Sequence, residues 1–497
     1  MITATCKGKY YDVEYSVVNV SELEGELRID AEYYDPFYLK IIAKLKKKGG
    51  IYLSDSKFFI KRGTQPKYIA NYTKYLALNS VHILEGDIDF ENAKYISEEF
   101  YVNKQQYTFQ YKDILVNSTG VGTLGRVAYV YDKTKKGIVD NHITRIRIKE
   151  NNSLVFPEYL FCFLRSKYGQ IQIERLFHGS SGQIEIYPSD FNNLFVSMPS
   201  QNFQKFIERL VLKAYEERQK AEQLYKQAEE ILLEELGLKN WKPKIKKIKI
   251  DGQEFEEEEN ISIRMLSEVV KADRMDAEYW EPKYDEIEGL IKNYKNGWDY
   301  LPNLVNISKK KIKVNKEEVY NYIELADINQ NLGVVNQTKQ IKGEDLPSRA
   351  RMKVKKGHVI MSSVEGSIDK IALINFEKNN LVASTGFFVF EEKQLNKETL
   401  LVLLKILSKR YLIREAQGTI LTAIPYDSLK RIKLPKINQQ IQQKISQLIQ
   451  QSFEARENSK KLLEIAKRTV EIYIERDETK GLNYAKNELK QLHVNID

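Results

Sequence analysis

The chain carries its framework twice. Arg28-Ile29-Asp30-Ala31-Glu32-Tyr33-Tyr34-Asp35-Pro36 returns half a chain length later as Arg274-Met275-Asp276-Ala277-Glu278-Tyr279-Trp280-Glu281-Pro282, in a sequence of 497 residues. Such a period is far too long for a solenoid repeat; it is a duplicated domain-plus-helix and implies a pseudo-twofold molecule. A partner that is itself nearly twofold suits that symmetry, and duplex DNA is the obvious candidate.

The second copy can be followed beyond its opening motif. Tyr75-Leu76-Ala77-Leu78-Asn79 answers Tyr322-Ile323-Glu324-Leu325-Ala326, and Asp113–Ser118 answers His358–Ser363. Pro188-Ser189-Asp190-Phe191, leading to Pro199, answers Pro425-Tyr426-Asp427-Ser428-Leu429, leading to Pro435. The spacing between copies shrinks along the chain, so loops changed length while the framework stayed. Tyr10–Val20, Asp113–Val116, Arg126–Tyr131 and Ile143–Ile148 read as short strands, and Pro157–Arg165 and Glu398–Ser408 as helices. Strands and helices interleave without a regular rhythm, which predicts an α+β fold.

After Pro199 the period changes. Phe203, Ile207, Leu210, Ala214, Glu217, Ala221, Leu224, Ala228 and Ile231 form a heptad seam that stops at Gly237, a helix C-cap. After Pro435 the same happens through Ile441, Ile445, Leu448, Ser452, Ala455, Ser459, Leu462 and Ala466, reaching Tyr473. Each helix spans about 50 Å at 1.5 Å per residue, and its small seam residues allow close approach. A long helix with one apolar stripe needs a partner, and the other copy supplies it in antiparallel sense.

The expected organisation is therefore two similar mixed α/β domains, an α+β fold, related by pseudo-twofold symmetry and separated by two long antiparallel coiled-coil helices. The expected segments are 1–200 (first domain), 201–236 (first long helix), 237–262 (a charged, solvated connector), 263–436 (second domain), 437–476 (second long helix) and 477–497 (a polar, helical tail). At 42% hydrophobic and 30% charged residues the chain is an ordinary folded protein. Two cysteines without motif spacing fit a reducing cytoplasm rather than a disulfide framework. No apolar stretch reaches the length of a membrane span. The net charge of +9 is compatible with a polyanion without requiring one.

Signals for catalysis are weak. Gly120-Val121-Gly122-Thr123-Leu124-Gly125 has the form G-x-G-x-x-G, but a strand-like Arg126–Tyr131 follows where a phosphate-binding turn must open a helix. There is no Pro-Pro or Pro-Cys of a DNA methyltransferase, and Glu391-Glu392-Lys393 lacks the Pro-Asp of a metal-dependent nuclease. Five scattered histidines and two cysteines give no zinc spacing, and His142, His178 and His358 read as loop or surface residues. The expectation is a non-catalytic chain with neither a catalytic residue nor a cofactor or metal site.

Two domains each opened by Arg-x-Asp-Ala-Glu-Tyr-aromatic, the Gly122–Ala128 block and a long helix after each domain together resemble the specificity (S) subunit of Type I restriction–modification systems. The resemblance spans essentially the whole chain, apart from the connector and the tail. It implies two target recognition domains, each reading half of a bipartite DNA target, with the helices measuring the unread spacer and docking two methyltransferase (modification) subunits. A motor-nuclease restriction subunit would join the larger complex. S-adenosylmethionine, ATP and Mg²⁺ would belong to those partners. The nearest alternative is the recognition subunit of a related combined restriction–methylation enzyme with a non-motor partner; a free-standing nuclease or methyltransferase and a coiled-coil scaffold are the other classes.

Arginine and lysine suit guanine, asparagine and glutamine suit adenine, and phosphate contacts add affinity. Candidate DNA contacts in the first copy are Lys61, Arg62, Thr64, Gln65 and Lys67 around a Gly/Pro turn, Asn141 and His142, and His178, Ser180, Ser181 and Gln183 in a Gly/Ser loop. In the second they are Lys309, Lys310, Lys311, Arg349, Arg351, Lys353, Gln417 and Thr419. Shared framework with unlike loop residues predicts two different half-sites and an asymmetric target.

Overall fold

A buried glutamine anchors the start of each of the two longest elements. In the computed structural model, which describes residues 2–7, 12–24, 28–120, 122–149, 154–179, 184–250, 253–418 and 422–496, the long helices are Gln201–Glu235 and Gln439–Glu475. Gln204 donates to the carbonyls of Leu154 (3.0 Å) and Pro199 (3.2 Å) and accepts from the Phe156 N–H at 2.9 Å. Gln442 repeats the pattern on Gln394 (3.1 Å), Ile437 (2.9 Å) and the Asn396 N–H (2.8 Å). Each amide satisfies loop backbone groups that would otherwise be stranded beside the helix start.

The chain divides into two units, Met1–Arg218 with Arg456–Asp497, and Gln219–Ala455. Both repeat one strand order. In the first, Val127–Tyr129, Ile114–Asn117, Ile143–Ile148 and Phe58–Arg62 lie side by side. In the second, Ile371–Leu373, Val359–Ser362, Phe387–Glu392 and Val305–Ser308 take the same places, among six strands. A further four-stranded sheet in each unit contains a parallel pair, Lys136–Val139 on Tyr75–Leu78 and Leu381–Ser384 on Val319–Ile323. With Pro157–Arg165 and Lys397–Ser408 packed on the sheets, the fold is α+β. The Gly122–Gly125 turn leads into strand Val127–Tyr129, its Gly125 N–H returning to the Asn117 carbonyl at 2.9 Å.

The helices pair antiparallel, and the pairing is visible within each unit. In the first, Phe203 at the start of one helix meets Tyr473 at the end of the other, ring centroids 5.3 Å apart. In the second, the Ser452 hydroxyl donates to the Ala221 carbonyl at 2.6 Å, a close backbone approach that a larger residue at 221 would block. The seam departs from the expected one in its second half. Tyr225 and Leu232 are buried where Leu224 and Ile231 were expected, and Ile445 and Ile449 are buried while Leu448 is half-buried. A straight helix of 3.6 residues per turn drifts off a strict heptad, so the stripe slides by one position.

Two expected segments are corrected. The charged connector contains strands Ile245–Ile250 and Gln253–Glu258, paired antiparallel with Lys246 opposite Glu257, Lys247 opposite Glu256 and Lys249 opposite Glu254. Opposite charges in cross-strand register favour such a ribbon. It answers the hairpin Ile2–Lys7 with Asp12–Val17, so the segment is the first element of the second copy. The homology runs further: the Ser16 hydroxyl donates to the Tyr34 carbonyl, and the Ser262 hydroxyl to that of Trp280. The tail is also more than a polar helix. Helix Glu478–Gln491 buries Gly481, Ala485 and Leu489 in the first unit, with the Ser200 N–H donating to Glu478 at 2.7 Å. His358, expected at a surface, is buried with Nε2 at 3.2 Å from Glu391, and burial lowers its pKa. Among the described residues no helix is long and apolar enough to cross a membrane.

Within the second unit, Lys405 ties the sheet-packing helix to the first long helix. Its ammonium lies 4.1 Å from the Tyr225 ring centroid and 3.3 Å from Glu229, and donates to the Asn331 carbonyl at 2.5 Å. Burial, only partly offset by Glu229, brings its pKa from 10.5 down to about 8. Between those two values the unfolded chain holds a proton that the folded unit has released, so stability contributed by this site rises with pH from about 8 to 10.5. All three tryptophans, Trp241, Trp280 and Trp298, belong to this unit, so their fluorescence reports it selectively. Urea midpoints read this way are expected to climb across that window in the unchanged chain and to lose that increment in Lys405→Met. By the same probe, Gln442→Ala is expected to cost about 1–3 kcal/mol, whereas Gln204→Ala leaves the tryptophan signal's midpoint unmoved.

Candidate nucleic-acid interface

The repeated arginine of the opening motif is a strut. Arg28 forks onto Asp30 at 2.8 and 2.6 Å, packs 4.3 Å from the Tyr33 ring centroid, and donates to the Phe177 carbonyl at 3.2 Å. Arg274 forks onto Asp276, lies 4.6 Å from the Tyr279 centroid, and donates to the carbonyls of Glu415 (3.4 Å) and Ala416 (3.1 Å). The arginine bonds hold both aspartates below the usual carboxylate range. A planar two-pronged donor fixes orientation as well as position. Each arginine therefore pins the entry to one loop.

Those loops are built alike. In the first unit, His178 and Glu185 exchange backbone hydrogen bonds at 2.9 and 3.0 Å, closing the loop between them. In the second, Gln417 and Ala423 do the same at 2.8 and 2.9 Å. Gly179 and Gly418, with φ of +103° and +124°, open the two loops in a conformation that side-chain-bearing residues rarely adopt. Each loop also returns to the sheet: Ile186 N–H donates to the Ser118 carbonyl at 2.9 Å, and Ile424 N–H to that of Ser363 at 2.8 Å. Ser180, Ser181, Gln183 and Thr419 lie outside the described residues.

Around the first loop the fold gathers several of the expected residues. Arg62 donates to Glu185 at 3.2 Å and to the Ile186 carbonyl at 2.6 Å, with its guanidinium 5.7 Å from the Tyr187 centroid. Exposed His142 sits with Nδ1 at 2.5 Å from the Thr119 hydroxyl, and its carbonyl accepts from Ser118 N–H. Neighbouring Asn141 is half-buried. Asp140, buried beneath, has its pKa raised by burial and accepts from the His142 N–H at 2.9 Å. The Thr64 N–H joins this group through the Val139 carbonyl at 3.1 Å. Gly63 is required here, because a Cβ would lie 2.1 Å from the Asp140 carbonyl. His178, expected at the surface, is half-buried between Asp190 (3.0 Å) and Arg28 (3.2 Å). Lys61 turns to the other face of its strand, donating to Gln106 at 2.5 Å beside the Tyr107 ring, and Gln65 and Lys67 are exposed on the following turn.

Around the second loop, exposed Lys309 lies 3.7 Å from the Tyr426 ring centroid, a cation–aromatic pairing like that of Arg62 with Tyr187. Lys310 and Lys311 run exposed along the strand Ala350–Lys353, Lys310 accepting from the Lys353 N–H at 2.9 Å. Arg349 and Lys353 are exposed. Arg351 folds back onto the carbonyls of Pro347 (3.0 Å) and Ala350 (2.9 Å), leaving less of its fork for a ligand. Sequence reasoning missed Thr119, Glu185, Tyr187 and Tyr426. Tyr187 directly precedes the repeated Pro188 block and Tyr426 lies inside the Pro425 block, at positions that do not answer one another, so the duplication marked the segments but not these side chains.

The equivalent frames carry different groups: His178 against Gln417, Glu185 against Ala423, an arginine–tyrosine pair against a lysine–tyrosine pair. Cations, amides and an imidazole beside Tyr187 and Tyr426 are the kinds of group that suit base edges, while the lysines suit phosphate.

Residues 36–228 match the family model described as Type I restriction modification DNA specificity domain. Among solved structures, the S subunit of a Type I restriction–modification system from M. genitalium is similar over 88% of this chain and 94% of its own, at 15% identity and a TM-score of 0.36. The HsdS subunit from Thermoanaerobacter tengcongensis is similar over 86% and 96%, at 13% identity and 0.24. The type IIG restriction endonuclease BpuSI is similar over 40% and 30%, at 11% identity and 0.28. Among curated proteins none matches the sequence.

If the arginines are struts, Arg28→Ala should loosen the His178–Glu185 loop and Arg274→Ala the Gln417–Ala423 loop, each without the other. Amide hydrogen exchange at those paired N–H groups is expected to quicken roughly ten- to hundred-fold, as loss of one or two buried charged hydrogen bonds implies.

Proposed function

We propose that this chain, whose residues 36–228 match the model described as Type I restriction modification DNA specificity domain, is the DNA-recognition subunit of such a system. Each unit reads one half of a bipartite, asymmetric target. The observation that carries this reading is the pair of loops built on one backbone frame and furnished with unlike side chains. Two readers of common origin recognise different bases when the frame fixes direction and the rim residues fix chemistry.

In the first unit, His142, Asn141, Thr64 and the loop opened by His178 face the bases; Arg62, bonded to Glu185, positions that loop. In the second unit, Gln417 reads bases, while Lys309, Lys310, Lys311, Arg349 and Lys353 contact phosphates. The two long helices set the number of unread base pairs and dock modification (methyltransferase) subunits. Those partners, with a motor-nuclease subunit, bring S-adenosylmethionine, ATP and Mg²⁺. The assembly works in the cytoplasm, where its DNA is.

Sequencing of methylated DNA from cells expressing the chain with its modification subunit tests the division of labour. Gln417→Ala is expected to relax one base in one half-site only, at about 1–3 kcal/mol of discrimination. Lys310→Ala is expected to weaken binding without changing the motif, and to reduce the slope of log K against log salt by about 1. A change in both half-sites on altering Gln417 would overturn the reading.

A further inference from the structure

One stretch of the first unit carries cations and tyrosines without a single carboxylate. Between Ser56 and Leu84 there is no aspartate or glutamate, while Lys57, Lys61, Arg62, Lys67 and Lys74 are interspersed with Tyr68, Tyr72 and Tyr75. The fold brings the middle of this stretch to a sheet edge. Tyr68–Ile69 is the outermost of the four strands that include Lys94–Ile96 and Tyr75–Leu78.

The Lys94 ammonium lies 4.7 Å from the Tyr68 ring centroid, and both residues are exposed. Just beyond the strand, Tyr72 meets Tyr95 edge to face, centroids 5.2 Å apart, yet remains 80% exposed. Lys67 is exposed on the same stretch, whereas Lys74 is turned to Glu98 at 3.7 Å. Burial and then the nearby Asp140 carboxyl raise the pKa of the Tyr68 hydroxyl, and the Asn79 side chain partly offsets them. This edge thus adjoins the group around His142 without belonging to it.

Stacking on an aromatic ring suits a nucleobase whose own face is free, and inside a duplex the base faces are covered by their neighbours. Attraction to phosphate needs only the lysines. The second unit has that simpler form. Spacing from Tyr75 and its counterpart Tyr322 puts Asn315 and Val319 where Tyr68 and Tyr72 stand. The strand Lys339–Lys342, paired with Val319–Ile323 as Lys94–Ile96 is with Tyr75–Leu78, has no aromatic residue. The tyrosines are therefore a feature of one unit and not of the shared framework.

We propose that this edge of the first unit is a stacking site for unpaired nucleotides, separate from the recognition loops. Tyr68 and Tyr72 take one base each, and Lys94 and Lys67 meet the flanking phosphates. DNA modification presents such nucleotides, because a base to be methylated leaves the helix and its partner is left unpaired. That role rests on the reading of the chain as a recognition subunit; the binding itself does not.

Anisotropy of a labelled oligothymidylate about 12 nucleotides long, titrated with the full chain, tests the site. Saturable binding is expected. Tyr72→Ala and Tyr68→Ala are each expected to weaken it roughly five- to hundred-fold, the range for loss of one stacked base. Tyr72→Trp, which restores a ring, is expected to retain the affinity of the unchanged chain. Lys94→Gln should lower the slope of log K against log salt by about 0.7, as for one phosphate of a single strand. Gln417→Ala is expected to leave oligothymidylate binding unchanged, so failure of this site and failure of half-site reading are told apart. Binding that is absent, or indifferent to Tyr72→Ala, overturns the proposal. So does an equal loss toward a duplex of the same length, which would assign the rings to paired DNA.

Discussion

Everything in this molecule depends on covering the apolar stripes of two helices too long to be stable alone. A helix of some 35 residues gains little from propensity; its stability comes from packing one face. Here each helix spends half its length in each unit, so the stripe is buried by the opposite helix and by local sheet and loop residues. Small side chains such as Ala214, Ala221, Ala228 and Ser452 make the close approach possible, and the Ser452 bond to the Ala221 carbonyl fixes it in the second unit. The glutamines at 204 and 442 then lock each helix start to the strand and loop framework.

The bases of the two paired loops are held by the same few parts. One arginine per copy, forked onto an aspartate two residues away, reaches the carbonyls at the loop entrance, and a glycine with positive φ turns the chain out. The backbone bridge and the arginine fork recur although the rim side chains differ. His178 can become Gln417 and Glu185 can become Ala423 while the backbone bridge persists. Duplication followed by divergence of the rim is thus structurally inexpensive, and it separates the residues that hold the loop from those available to a ligand.

Much of this was legible in the sequence because the duplication supplied an internal comparison. The strands around Ile114, Val127 and Ile143, the helix from Pro157 and both long helices follow from periodicity. The seam's slide from Leu224 to Tyr225 was not, since Leu224, Tyr225, Ile231 and Leu232 are all apolar and only the partner helix decides which pair faces inward. The strands at 245–258 were hidden because runs of lysine and of glutamate look solvated until their register sets them opposite one another. Arg62 looked like a free cation; its bonds to Glu185 and the Ile186 carbonyl depend on a loop more than a hundred residues away. The buried face of Glu478–Gln491 was masked by the helix's polar composition, its anchors being a glycine, an alanine and a single leucine.

The second unit is one uninterrupted stretch of chain, Gln219–Ala455, whereas the first is closed by Arg456–Asp497. During synthesis, the second unit has all its parts once Ala455 has left the ribosome, while the first must wait with the apolar face of its helix uncovered. Vectorial translation thus reverses the order in which the halves mature, and places the late-arriving segment under the strongest pressure to dock quickly.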